Sequence, residues 1–175
     1  MKTNLENLNY EFILVNDGSP DDTWQVIKNI IDDHTDIKIK GINYSRNSGK
    51  GYAVRTGMSY ANGENVLMLD ADGATSTKEI SAFIKKIQSQ NNNDKVIIIG
   101  SRNLEEQVVE NRPWYRKIPS LVNNFIVTEL LGVKGIKDTQ CGFKMFTKRA
   151  IRDLFPKMHL NRWAFDVELL YLAQR

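Results

Sequence analysis

An intrachain disulfide is excluded, because the 175 residues include a single cysteine, Cys141. The fold must be held by its core, and a reduced, cytosol-facing environment fits. Cys141 reads as a structural thiol, since neither of the two histidines lies in a motif that would make it a nucleophile. The first dozen residues are polar, so no secretory leader is expected. No apolar run approaches the roughly 20 residues of a membrane span, so a soluble or peripheral chain is expected. A net charge of +3 with scattered basic residues does not point to nucleic acid. One local exception runs from Arg102 to Lys117, where Arg112 and Arg116 add to the positive charge. No internal repeat or low-complexity segment is present.

The composition that remains, 41% hydrophobic and 26% charged, suits one globular domain with a real core. Through the first hundred residues, strands and helices alternate. Apolar runs at Tyr10–Val15, Asn65–Leu69 and Val96–Ile99 and an alternating run at Ile37–Tyr44 predict strands. Helical spacing predicts helices over Asp21–Asp33, Gly51–Asn62 and Thr77–Gln90, with a polar turn over Gln90–Asp94. Further on, a long helix is expected over Pro113–Leu131, facing the core or lying at a membrane surface. Phe143–Phe146 reads as a short strand, Lys148–Phe155 and Phe165–Gln174 as helices. Strands apolar throughout, alternating with helices, imply an α/β fold with a mostly parallel sheet covered on both faces. Ligands in such sheets bind beyond the carboxyl ends of the strands. Those ends carry Asp17, Asp70 with Asp72, and Arg102.

Leu69-Asp70-Ala71-Asp72-Gly73 has the plainest chemistry. On an extended chain, side chains two apart point the same way, so the two carboxylates repel unless a cation lies beside them. A divalent ion shared with a diphosphate resolves that repulsion and neutralises a departing nucleotide. The alternative is a solvated turn with capping aspartates. In Val15-Asn16-Asp17-Gly18-Ser19, Asp17 either accepts from a base or ribose or starts an Asx-turn. In Asn47-Ser48-Gly49-Lys50-Gly51, Gly49 permits close approach of the backbone and Lys50 can meet phosphate, or the stretch is simply a turn. It is not a P-loop, and the first strand is not followed by a dinucleotide fingerprint, which disfavours a nicotinamide dehydrogenase. Asp138–Lys144 and Arg162–Glu168 put polar residues beside aromatics, which suggests a pocket wall.

Taken together and in order, Asn-Asp-Gly-Ser, Asn-x-Gly-Lys-Gly, Asp-Ala-Asp-Gly-Ala-Thr, Gly-Ser-Arg, Asp-Thr-Gln-Cys-Gly-Phe-Lys and Arg-Trp-Ala-Phe-Asp-Val-Glu-Leu-Leu resemble the inverting family 2 glycosyltransferases of GT-A fold. Within that family the last two motifs are most similar to the members that glucosylate dolichyl phosphate, from about Tyr10 to the C-terminus. The resemblance implies transfer of glucose from UDP-glucose to dolichyl phosphate with inversion, for protein N-glycosylation at the cytosolic face of the endoplasmic reticulum membrane. It implies Mg²⁺ or Mn²⁺, and only peripheral contact of this chain with the membrane surface. By the family pattern Asp17 contacts the uridine, Asp70 and Asp72 match the metal and diphosphate motif, and Asp72 is expected to be the direct ligand. Arg102, Arg116 and Ser120 match positions that hold an acceptor phosphate, and Asp166 lies near a position used for a base. A phosphate monoester is already anionic near neutrality, so cationic positioning by Arg102 and Arg116 matters more than a base, and Asp166 is expected to orient acceptor or sugar. The resemblance divides the chain into a nucleotide-binding half, about 10–102, and an acceptor-side half, about 103–175. Relatives begin with a further strand of Pro-Ala-Tyr-Asn-Glu type and continue past the last motif, so truncation at both ends is expected. Rival readings are a mannosyl or polyprenyl-phosphate transferase, and a nucleotide-binding fragment without turnover.

Overall fold

The computed structural model describes residues 8–73, 79–90, 94–100 and 141–175. Strand β1 (Glu11–Asn16) pairs in parallel with β2 (Lys38–Asn43), joined by helix α1 (Thr23–Asp33). The side chains of Trp24 and Ile31 in α1 lie over Gly41 of β2, where the missing Cβ leaves room for the indole. Helix α2 (Lys50–Tyr60) packs on β1 and leads to β3 (Asn65–Leu69). Helix α3 (Glu79–Gln88) and β4 (Ile97–Ile99) follow. The chain then runs through β5 (Phe143–Thr147), α4 (Lys148–Leu154), a 3-10 turn at Phe155–Lys157, and α5 (Phe165–Ala173).

These elements match the expected strands and helices closely, and the α/β class holds. One relation was not expected. β5 lies between β3 and β4 and is antiparallel to both, so β3 and β4 run the same way but are separated by a reversed strand. All five residues of β5 are buried, as a central strand requires. Its side chains alternate between faces. Phe143 and Met145 pack with Ile80, Phe83, Ile84 and Ile87 of α3. Phe146 enters the main core with Met58, Ala150, Ile151, Phe155, Phe165 and Leu169. The three-stranded sheet is thus covered by α3 on one face and by α2, α4 and α5 on the other.

The order of pairing brings the amino end of β5 beside the carboxyl ends of β3 and β4. The Asp70 N–H donates to Gly142 O at 3.1 Å and the Gly100 N–H to Phe143 O at 2.9 Å. The predicted helix over Pro113–Leu131, and with it the membrane-surface reading, lies outside the described residues.

Candidate active site at the strand ends

Asp17 follows β1 directly. Its carboxylate accepts from two successive backbone N–H groups, Ser48 to Oδ1 at 2.7 Å and Gly49 to Oδ2 at 2.8 Å. The Asn47 side-chain amide donates to the Asp17 carbonyl at 3.1 Å. An anion placed against free N–H groups at the start of α2 is favoured by both hydrogen bonding and the helix dipole. Asp17 therefore shapes the Asn47–Lys50 loop. Gly49 closes that loop with φ +101, and a Cβ there would overlap the carbonyl oxygen of Asn161. Only glycine combines that backbone angle with so close an approach.

The next residue carries the loop to β3. The Lys50 ammonium donates to Asp70 Oδ2 at 2.6 Å, and both side chains are partly open to solvent. The same ammonium lies 5.4 Å from the ring centroid of Trp163, which is 73% exposed. On its other side Asp70 rests on the Cys141–Gly142 turn, and a Cβ at Gly142 would fall on the Asp70 carboxylate. Gly142 thus provides the floor on which that carboxylate sits. Asp17 and Asp70 are held by consecutive residues, Gly49 and Lys50, so the strand ends do meet at one place. Asp72 stands in the turn that follows, ahead of Gly73.

Asp166 occupies the first turn of α5 and is 4% exposed. Its Oδ1 accepts from the Lys144 ammonium at 2.6 Å. Burial holds the Asp166 carboxyl above its ordinary range, outweighing the opposing charge and hydrogen bond of Lys144. Glu168, two residues further in the same turn, accepts the backbone N–H groups of His159 and Leu160 at 2.9 and 2.8 Å. Arg55 of α2 reaches the same segment, donating to Met158 O and Asn161 Oδ1. The Arg162–Glu168 stretch is thereby explained: Phe165 is core, Asp166 meets Lys144, Glu168 shapes the loop, and Trp163 stands beside Lys50.

Of the predicted site residues, Asp17, Gly49, Lys50 and Asp70 are brought together, with Asp72 in the adjoining turn. Asp166 reaches them through Lys144 and the Cys141–Gly142 turn. Arg102, Arg116 and Ser120 lie outside the described residues. Sequence reasoning left Gly142 and Lys144 without roles, because their meaning depends on β5 being inserted between β3 and β4. Among the described residues no group of three or more histidine, cysteine or acidic side chains is set to enclose a metal. The donor set at the end of β3 is carboxylate oxygen, suited to a hard divalent ion that takes its remaining ligands from diphosphate and water. No helix among the described residues is long and apolar enough to cross a membrane.

The family model for glycosyl transferase family 2 matches residues 2–155. A dolichyl-phosphate beta-glucosyltransferase of Trichomonas vaginalis (ALG5C) is 46% identical over 167 residues, covering 94% of this chain and 49% of that protein. The Dictyostelium discoideum dolichyl-phosphate beta-glucosyltransferase is 42% identical, covering 95% of this chain and 51% of its own length. The protein of that name from Homo sapiens is 42% identical, covering 94% and 52%. The chain spans about half the length of the curated relatives it matches. Because the matched stretch takes in the Asp17 loop, Lys50, Asp70 and the turn at Gly142 that the fold draws to one place, the chain belongs to glycosyl transferase family 2.

Proposed function

We propose that this chain carries the donor site of a dolichyl-phosphate β-glucosyltransferase, working at the cytosolic face of the endoplasmic reticulum membrane in protein N-glycosylation. The observation that carries the reading is the seating of Asp70. It lies at a strand end between the Lys50 ammonium and the Gly142 backbone, two residues from Asp72 and one loop from Asp17. The relatives that match nearly the whole chain share one named activity. In this reading Asp70 and Asp72 would hold Mg²⁺ or Mn²⁺ beside the diphosphate of UDP-glucose. The ion's chemistry is to neutralise the charge of the departing diphosphate. Lys50 is within reach of the same phosphates, and the Asp17 loop holds the uridine side. An oxygen of dolichyl phosphate forms the bond to the glucose anomeric carbon. The bond from that carbon to the UDP oxygen breaks, the electron pair leaves with UDP, and the configuration inverts.

The acceptor oxygen is already anionic, so no proton need be removed from it near neutral pH. Arg102 and Arg116, helped by Ser120, hold the acceptor phosphate against its like-charged partner, and the chain makes peripheral contact with the membrane surface. Burial beneath the Lys144 pair suits Asp166 to orientation of sugar or acceptor.

A transfer assay with UDP-glucose, dolichyl phosphate and Mg²⁺ or Mn²⁺ tests the reading, run on this chain and on one extended to the length of the relatives. Dolichyl glucosyl phosphate is expected, with GDP-mannose a poor competitor. Arg116→Ala is expected to slow transfer far more than it weakens UDP-glucose binding. Metal-independent transfer, or a preference for GDP-mannose, would overturn the assignment.

A further inference from the structure

We propose that Lys144 is a positioning residue of the donor site, tying the turn that seats Asp70 to the Asp166 carboxylate at the start of α5. The proposal rests on the donor-site reading above. Lys144 is fully buried in the central strand β5, opposite Met68 of β3. A lysine there is costly unless its charge is paired and its protons are placed, and an apolar side chain would fill the space at lower cost. Two of its protons have partners: Asp166 Oδ1 at 2.6 Å and the carbonyl of Cys141 at 2.5 Å. The second bond reaches back three residues and curls the backbone just before β5. The backbone so curled is Cys141–Gly142, whose Gly142 carbonyl accepts the Asp70 N–H and whose missing Cβ makes room for the Asp70 carboxylate. Lys144 therefore acts on Asp70 without touching it.

The chain of contacts closes on itself. Asp166 meets Lys144, Lys144 the turn, the turn Asp70, Asp70 Lys50, and Lys50 the ring of Trp163, which lies three residues before Asp166. Four elements, α2, β3, β5 and α5, are thus drawn around one carboxylate. An apolar residue at 144 would leave the core filled and the turn unanchored.

The test is Mn²⁺ binding in the presence of UDP, followed by electron paramagnetic resonance on the purified chain, so that no turnover is needed. Lys144→Met is expected to raise the Mn²⁺ dissociation constant at least tenfold. Met145→Ala, which damages the opposite face of the same strand, is expected to lower the melting temperature and leave Mn²⁺ affinity within twofold. If Lys144→Met does not fold, the apolar pair Lys144→Met with Asp166→Leu leaves no buried charge unpaired and carries the same expectation. Mn²⁺ affinity within twofold of wild type in either Lys144 variant, or an equal loss in Met145→Ala, would overturn the positioning role alone. Wild-type chain that binds no Mn²⁺ with UDP would overturn the donor-site reading as well.

Discussion

Gly142 shows how much of the site depends on an atom that is not there. Its backbone holds Asp70 from below, and a methyl group at that point has nowhere to go except into the Asp70 carboxylate. Gly142→Ala is therefore expected to displace Asp70 and to weaken Mn²⁺–UDP binding by about tenfold or more, equivalent to at least ~1.4 kcal/mol. The melting temperature is expected to fall much less than for a core truncation. Titration of UDP and Mn²⁺ into the variant checks this, and unchanged affinity would refute it. Asp153 makes a separate point about charge. The ammonium groups of Lys157 and Lys95, at 2.7 and 2.6 Å, hold its carboxyl down from the ordinary 3.8 to about 2. A carboxyl depressed on folding contributes stability above its ordinary value and loses that contribution as the pH falls through the depressed one. The stability difference between wild type and Asp153→Asn is thus expected to be present at neutral pH and to shrink between pH 3.8 and about 2. The site is on the surface, so the difference is expected to be small and to fall with added salt. Thermal melts across that pH range measure it.

At the scale of elements, β5 decides the architecture. It pairs on both edges and packs on both faces, so its side chains have no route to water. Phe146 is wholly buried and meets Phe155 edge to face at 5.4 Å. Phe146→Ala is expected to cost ~3–5 kcal/mol, read from the denaturant midpoint, because the cavity lies at the meeting of a sheet and two helices. A loss under ~1 kcal/mol would mean that the core repacks around it. The strand and helix positions were legible because apolar periodicity is a local signal, and Asn65–Leu69 was read with the bounds it has. The direction of β5 was not legible. A buried five-residue strand carries no mark of which neighbours it will separate, and the helix-mediated parallel pairing of β1 and β2 does not extend to it. Lys144 was opaque for the same reason. In sequence it follows a glycine and a phenylalanine, and its partner Asp166 stands 22 positions away. By contrast Asp17, Gly49, Lys50 and Asp70 were legible, since each lies at a strand or helix end where the fold class places ligands.

For the molecule as a whole, the central proposal is that Asp70 and Asp72, at the end of β3, share a single cation with a nucleotide diphosphate, beside the loop that Asp17 shapes. Lys50 now balances the charge of Asp70, and a divalent ion with its diphosphate would take over that balance. The relatives' shared name gives a sugar and a lipid phosphate. In the proposed reading the donor site comes first, since every further step would need the nucleotide sugar held in place. The most direct measurement is calorimetric titration of UDP into the purified chain with Mn²⁺, with EDTA, and with Mn²⁺ after Asp70→Asn. The account predicts one UDP bound per chain with Mn²⁺, and a loss of affinity of tenfold or more both in EDTA and in the Asp70→Asn variant. Equal UDP affinity under all three conditions would contradict it.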